Sequence, residues 1–251
     1  MRPVRTALAV VEAIGRRQPV GVSELARRLD LPKSTVQRTL GVLEDAGWIE
    51  ASDSERSGWS LSLKAGLAVG RADYATRRLR TAALPVMEEL RRRTSESIYL
   101  AVRFERQIAL VERLDGLNPA VHAWPLWQAG PMHATSLGKA ILAALPDAEL
   151  EDYLSRPLRA LTARTQTDAD ALRAELREAR ARGYAVTFET NWPGENGVGA
   201  AIRNGSGAPF AAISISAPVE RVNEAACLRL GETLMEAARR ISLGLAATGS
   251  K

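Results

Sequence analysis

Residues 31–47 read LPKSTVQRTLGVLEDAG, a stretch with helix signals at both ends and along one face. Pro32 suits a first helical turn, where its missing N–H costs nothing. Gly47 suits the position just past a helix, where the backbone turns left-handed. Val36, Leu40 and Leu43 recur at i, i+4 and i+7 and form one apolar stripe. Ser34, Arg38 and Gly41 lie opposite, flanked by Thr35 and Gln37. Arginine matches a guanine edge in bidentate fashion, and an amide side chain such as glutamine matches adenine. A helix packed by one face and offering these groups near its N-terminus is shaped to enter a DNA major groove. The same pattern also describes an ordinary amphipathic helix with a solvated face, so its neighbours decide.

Upstream, Val4, Leu8, Val11 and Ile14 are spaced for a helix over residues ~4–16. Ser23 is placed to cap a second, short helix with Leu25, Ala26 and Leu29 inward. Asp30 and Leu31 make the turn. Two helices, a turn and a third helix within ~45 residues are the helix-turn-helix arrangement. Downstream, residues 48–51 (WIEA) alternate as a strand, 52–58 (SDSERSG) form a polar turn, and 59–61 (WSL) alternate again. A hairpin directly after the third helix is a wing. Lys33 and Arg56, the latter at the wing tip, are candidates for phosphate contacts; Arg56 is otherwise a solvated loop charge.

The chain has 251 residues, enough for two modest domains, and a formal charge of +5. Its pI is about 9.8, a mild basicity that suits a nucleic-acid partner without establishing one. Cys227 is the single cysteine, which excludes an internal disulfide and a zinc site built on cysteine pairs. The N-terminus does not resemble a signal peptide, and no run of ~20 apolar residues is present, so a cytoplasmic protein is expected. His122 and His133 are the two histidines, and no patterned carboxylate joins them. Neither a metal nor a cofactor is expected.

Residues 64–80 are rich in Ala and Gly and carry Arg71, Arg77, Arg78 and Arg80. They read as a linker helix, either a close dimer contact or a plain spacer. Pro85 is expected to open the next helix. Strands are expected at 97–103 and 108–114, with a third candidate at 120–126 weakened by Pro125. Gly130-Pro131 reads as a loop, and Thr135 or Ser136 caps the helix SLGKAILAAL. Helices follow at 147–154 and 168–182, the latter stopped by Gly183. A strand at 184–190, an irregular loop at 191–197, and strands at 198–203 and 210–216 joined by a hairpin turn precede a long helix over ~219–246. The second domain is therefore α+β, an antiparallel sheet with helices on one side.

Catalytic signatures are weak. Ser136 and Lys139 form an S-x-x-K string, the nucleophile–lysine spacing of some serine hydrolases, but the accompanying S-D-N and K-T-G elements are missing. Gly205-Ser206-Gly207 falls in the hairpin turn, Gly138-Lys139 lacks the rest of a P-loop, and Gly194, Gly197 and Gly199 do not fit G-x-G-x-x-G. The rival to a DNA-binding regulator is thus a hydrolase-like enzyme using Ser136 and Lys139, with an accessory helix-turn-helix. No catalytic residue is assigned on the leading reading.

Several segments, in order, resemble one family: LPKSTVQRTLGVLEDAGWIE, the 59–61 wing strand, HATSLGKAILAALP, RGYAVTFETNWPG and PFAAISISAPVERV. Together they resemble the IclR family of bacterial transcription regulators over nearly the whole chain. The resemblance implies a winged helix-turn-helix over 1–63, a linker helix over 64–80 and a GAF-like effector-binding domain over 81–251. It implies a homodimer, often paired into a tetramer, that binds palindromic promoter DNA and responds to a small organic ligand. Ser34, Thr35, Gln37 and Arg38 are the expected base or nearby phosphate contacts. Carried over by position, the ligand pocket includes Ser136 and Leu137, whose amides open a helix, and Ser214 and Ser216 of the SIS motif. Thr187 stands where relatives often have aspartate, and Gly197 where they often have cysteine, so a roomier and less acidic pocket is expected. Trp124, Trp127 and Trp192 lie near it. They suggest an aromatic acid or amide as effector, unless they fill core or interface space.

Overall fold

The computed structural model describes residues 2–52, 58–72, 74–117 and 124–247. The chain divides into two compact units, Met1–Tyr74 and Ala75–Lys251.

The first unit holds α1 (Arg2–Arg16), α2 (Val22–Leu29), α3 (Lys33–Asp45), β1 (Ile49–Ser52), β2 (Gly58–Leu61) and α4 (Leu63–Ala72). Val10, Ile14, Leu25, Val36, Leu40, Leu43 and Ile49 form its core. The α1 stripe differs from the one expected. Val10 and Ile14 are fully buried and Ala7 packs beside them, whereas Val4 and Leu8 are 66% and 59% exposed. At 3.6 residues per turn the row through Ala7, Val10 and Ile14 faces the core, and Val4 and Leu8 lie on the neighbouring row. α2 begins at Val22 with Gly21 in the cap position, so Ser23 sits inside its first turn. α3 ends in a Schellman closure: the Trp48 N–H donates to the Leu43 carbonyl at 2.8 Å and the Gly47 N–H to that of Glu44 at 2.7 Å, with Gly47 at φ +72°. The β1–β2 hairpin pairs Ile49 with Leu61 and Ser52 with Gly58. Val20 and Trp59 exchange both backbone hydrogen bonds, at 3.1 and 2.9 Å, and pin β2 to the α1–α2 connection. A Cβ on Gly58 would sit 2.9 Å from the Val20 nitrogen, so glycine permits this approach. Arg56 lies outside the described residues.

The second unit holds α5 (Tyr74–Thr94), β3 (Ser97–Phe104), β4 (Gln107–Leu114), β5 (Ala129–Pro131), α6 (Ser136–Ala144), α7 (Asp147–Leu154), α8 (Ala169–Arg182), β6 (Ala185–Phe188), β7 (Glu195–Arg203), β8 (Pro209–Pro218) and α9 (Glu224–Ala247). Its sheet has the order β5-β4-β3-β8-β7-β6, and every neighbouring pair is antiparallel. Helices cover both faces, not one. Ile98, Leu100, Val198, Ile213 and Ile215 meet α5 and α9. Tyr99, Ala101, Ile108, Leu110 and Ala212 meet α6, α7 and α8. Where α6 seats, the β7–β8 part of that face is Gly197, Gly199, Ala201, Ala212, Ser214 and Ser216, small residues that show no apolar alternation in the sequence.

Segment 64–80 is divided between α4 and α5. Pro85 does not open a helix; it lies inside α5 with its ring exposed. The lost N–H weakens the helix there, by ~3 kcal/mol at an average interior site. Burial of Leu79, Ala83, Val86, Met87 and Leu90 holds α5 in shape regardless. The edge strand beyond β4 is β5, at the expected Gly130-Pro131 loop, and most of the expected strand at 120–126 lies outside the described residues, His122 included. β7 starts at Glu195, inside the expected loop.

Candidate functional sites

α3 presents Lys33, Ser34, Gln37 and Arg38 to solvent, while Thr35 is half-buried. No side chain among the described residues engages the four exposed ones. The Thr35 carbonyl accepts the Thr39 hydroxyl at 2.9 Å. α3 carries no acidic residue in its first turn, so the positive end of the helix dipole is uncompensated there. The expected DNA-reading residues therefore share one accessible face, Thr35 at its rim.

The second site lies between the N-terminus of α6 and the sheet. The HATS turn places Thr135 as N-cap, its hydroxyl accepting the Gly138 N–H at 3.0 Å. The Ser136 and Leu137 amides fall in the first helical turn, where no carbonyl of the helix can pair with them. α6 seats directly on β7, because a Cβ on Gly199 would collide with the Ser136 carbonyl. On the same sheet face, strand period brings Glu195, Gly197 and Gly199 of β7 beside Ser214 and Ser216 of β8, with Tyr99 of β3 paired to Ser214. A Cβ on Gly197 would lie 2.8 Å from Ser136 Oγ, 3.0 Å from Thr187 Oγ1 and 3.1 Å from Ser216 Oγ. Three hydroxyls thus converge on one point, with Thr187 donating to the Gly197 carbonyl at 3.3 Å.

Of the expected pocket residues, Trp124, Ser136, Leu137, Thr187, Trp192, Gly197, Ser214 and Ser216 all line this cavity. Trp127 does not: its backbone caps the Leu110 carbonyl at 2.6 Å and its side chain is 58% exposed. Trp124 is buried, donates its indole N–H to the Gln128 carbonyl at 3.2 Å, and lies against Gly130. The cavity is about 30 Å³, room for roughly two waters.

The pocket does hold a carboxyl. Glu195, two residues before Gly197 on the same face, restores a carboxyl that Thr187 lacks. Burial pushes its pKa up to about 7, against the pull of a hydrogen bond from Ser216. Tyr99 is pushed up to about 12 by burial and by the facing Glu195 charge. Glu195 Oε2 and Ser214 Oγ are buried without partners, the two such side-chain atoms among the described residues. Sequence reasoning missed Glu195 and Tyr99. Counting in steps of two back from Gly197 would have found Glu195 had β7 been drawn three residues longer.

The Ser136–Lys139 dyad is not formed. Lys139 is 1% exposed and its ammonium is committed to Glu175 of α8 at 2.6 Å. His133 is likewise structural, bonding the Tyr153 hydroxyl through Nδ1 at 3.0 Å and the Arg159 carbonyl through Nε2 at 2.9 Å. No group of metal-binding side chains occurs among the described residues, and no helix there is long and apolar enough to cross a membrane.

A helix-turn-helix with a wing, joined to a domain whose sheet carries a polar cavity under a helix N-terminus, defines a DNA-binding regulator with a small-molecule partner. Comparison with known proteins agrees. The IclR helix-turn-helix domain model matches residues 4–53, and the model for the bacterial transcriptional regulator IclR C-terminal region matches residues 73–243. The HTH-type transcriptional repressor AllR of Klebsiella pneumoniae is 34% identical over 225 residues, 89% of this chain and 82% of that protein. The IclR of Thermotoga maritima superposes with a TM-score of 0.72 at 27% identity, covering 98% of this chain and 99% of that one. An IclR homolog from Microbacterium hydrocarbonoxydans, solved with 4-hydroxybenzoate, gives a TM-score of 0.84 at 28% identity over 98% and 99% of the two chains. The chain belongs to the IclR family of bacterial transcriptional regulators, and it is a DNA-binding transcription factor, not an enzyme.

Proposed function

We propose that this protein is a cytoplasmic repressor that binds palindromic promoter DNA as a dimer or a pair of dimers and changes its affinity when a small organic acid occupies the α6–sheet pocket. Residues 1–63 read DNA, 81–251 sense the ligand, and 64–80 couple them. Ser34, Thr35, Gln37 and Arg38 meet base edges or nearby phosphates, and Lys33 and Arg56 position the backbone. In the pocket, the Ser136 and Leu137 amides take an acid or carbonyl oxygen, as helix N-termini favour. Thr187, Ser214 and Ser216 contribute hydroxyls around the open point at Gly197, and Trp124 and Trp192 form apolar walls. Trp127 has no part in it.

The observation that carries this reading is the convergence of free helix amides and strand hydroxyls on one cavity containing two orphaned polar atoms. The 4-hydroxybenzoate held by the Microbacterium relative supports an aromatic acid, which here must widen the cavity as it enters. A ligand shifts the regulator only by binding one arrangement better than another. The test is fluorescence anisotropy on labelled DNA from upstream of the protein's own gene, in a salt series with an unrelated duplex as competitor. Specific binding that weakens with salt is expected, with a change in affinity on adding benzoates or short acids. Equal, weak binding to both duplexes, with and without a metabolite extract, would refute the reading.

A further inference from the structure

We infer that Glu195 is a specificity-determining residue of the pocket: it reads an O–H or N–H donor on the effector, opposite the end held by the α6 amides and Ser214. The inference rests on the pocket reading above and narrows its ligand class. Glu195 Oε2 is an acceptor with nothing to accept, and Ser214 Oγ, on the same sheet face but level with Gly199 at the α6 end, is also without a partner. A buried polar atom left unpaired is costly, so a ligand that satisfies both gains what the empty pocket forgoes. The other Glu195 interaction, with Ser216, uses the hydroxyl as donor and leaves the carboxyl an acceptor.

Among the described residues the cavity wall contains no arginine or lysine. Above about pH 7, where Glu195 is ionised, a simple monoacid would place its one charge against the helix amides and meet a carboxylate at the other end. A molecule with an acid or carbonyl at one end and a hydroxyl, amine or amide N–H at the other matches both ends. The effector class is therefore a small hydroxy-, amino- or amido-acid. The donor is set by Glu195, a position distinct from the aspartate and cysteine sites that Thr187 and Gly197 occupy.

The experiment compares matched probes on the full-length protein by thermal shift and by DNA-binding anisotropy. The pairs are glycolate and acetate, lactate and propionate, and 4-hydroxybenzoate or 4-aminobenzoate and benzoate, each with wild type, Glu195→Gln and Glu195→Leu. At pH 8, where Glu195 is ionised, donor-bearing members should bind wild type roughly tenfold to a hundredfold better than their partners, the span of a hydrogen bond to a charged group. Glu195→Leu should erase that preference, and Glu195→Gln, which keeps an acceptor oxygen, should retain part of it. Members of each pair binding equally, or a preference surviving in Glu195→Leu, would overturn the role of Glu195 while leaving the pocket intact. Failure of every probe to bind would overturn the small-acid reading and this inference with it.

Discussion

Glu195 makes stability depend on pH in a direction opposite to that of an ordinary surface carboxylate. Its pKa is about 7 in the folded chain, against 4.5 for an unperturbed glutamate. Below pH 4.5 both folded and unfolded chains hold the proton, and burial of the neutral acid carries no ionic penalty. Between 4.5 and about 7 the unfolded chain releases its proton and the folded chain does not, so stability falls as pH rises. Above about 7 the folded carboxyl ionises too and the penalty levels off. At ~1.4 kcal/mol for each pH unit in that gap, the full penalty is about 3 kcal/mol. Glu195→Gln replaces the carboxyl with a neutral group of the same shape and removes it. By calorimetry the variant should match wild type near pH 4.5 and unfold at higher temperature at pH 8, by roughly 6–12 °C for a unit of this size. His133, held below its usual range by burial, is present in both proteins and cancels in the difference. Tyr99, pushed up to about 12, does not titrate in the window. A variant whose difference from wild type is the same at pH 4.5 and pH 8 would refute the reasoning.

Three further outcomes follow from named contacts. Arg38→Ala should weaken operator binding by about 1–3 kcal/mol and relax preference at one base pair of each half-site, as a bidentate base contact requires; anisotropy against a set of single-base operator variants reads both, and unchanged preference would remove Arg38 from the base-reading set. Glu175→Ala leaves the Lys139 ammonium buried and unpaired and should cost about 3 kcal/mol in urea unfolding, whereas the Lys139→Met, Glu175→Leu pair should recover most of that loss; equal losses in both proteins would show that the ion pair is not the source. Gly199→Val drives a side chain into the Ser136 backbone, so it should destabilise by roughly 1–3 kcal/mol and, in the DNA-binding assay, blunt any ligand response before it abolishes the fold.

The first unit was legible because its signals are local. The Val36–Leu40–Leu43 stripe, Gly47 and the polar turn between two alternating triplets each fix one element without reference to distant residues. Val4 and Leu8 misled because, over one or two turns, an adjoining row of a helix looks as apolar as the row that faces the core. In the second unit most strands were legible, β5 and the start of β7 excepted, and the layers were not. The β3 and β8 faces toward α5 and α9 are rich in Ile and Leu, but the face under α6 is Ala, Gly and Ser, and small residues buried by close approach look like solvent-facing ones. Pro85 was read by its local rule, and the burial of the α5 stripe overruled that rule. The pocket serines and the α6 amides came from the family resemblance, carried over by position onto the HATS turn and the SIS motif. Glu195 did not, because a glutamate after NWPG looks like a loop charge until β7 is known to begin there.

The pinning of the first unit has a consequence for regulation. The Val20–Trp59 exchange ties β2 to the α1–α2 connection, and the Leu43–Trp48 closure ties the end of α3 to the start of β1. With the C-terminal end of α3 closed onto β1 and β2 pinned to the α1–α2 connection, the described elements of that unit are fastened to one core. A signal arriving from outside it acts on the unit as a single piece, so an effector can alter how firmly the protein stays on its operator while the bases it prefers stay the same. The sequence logo of the operator should then be identical with and without ligand, and only its occupancy should change.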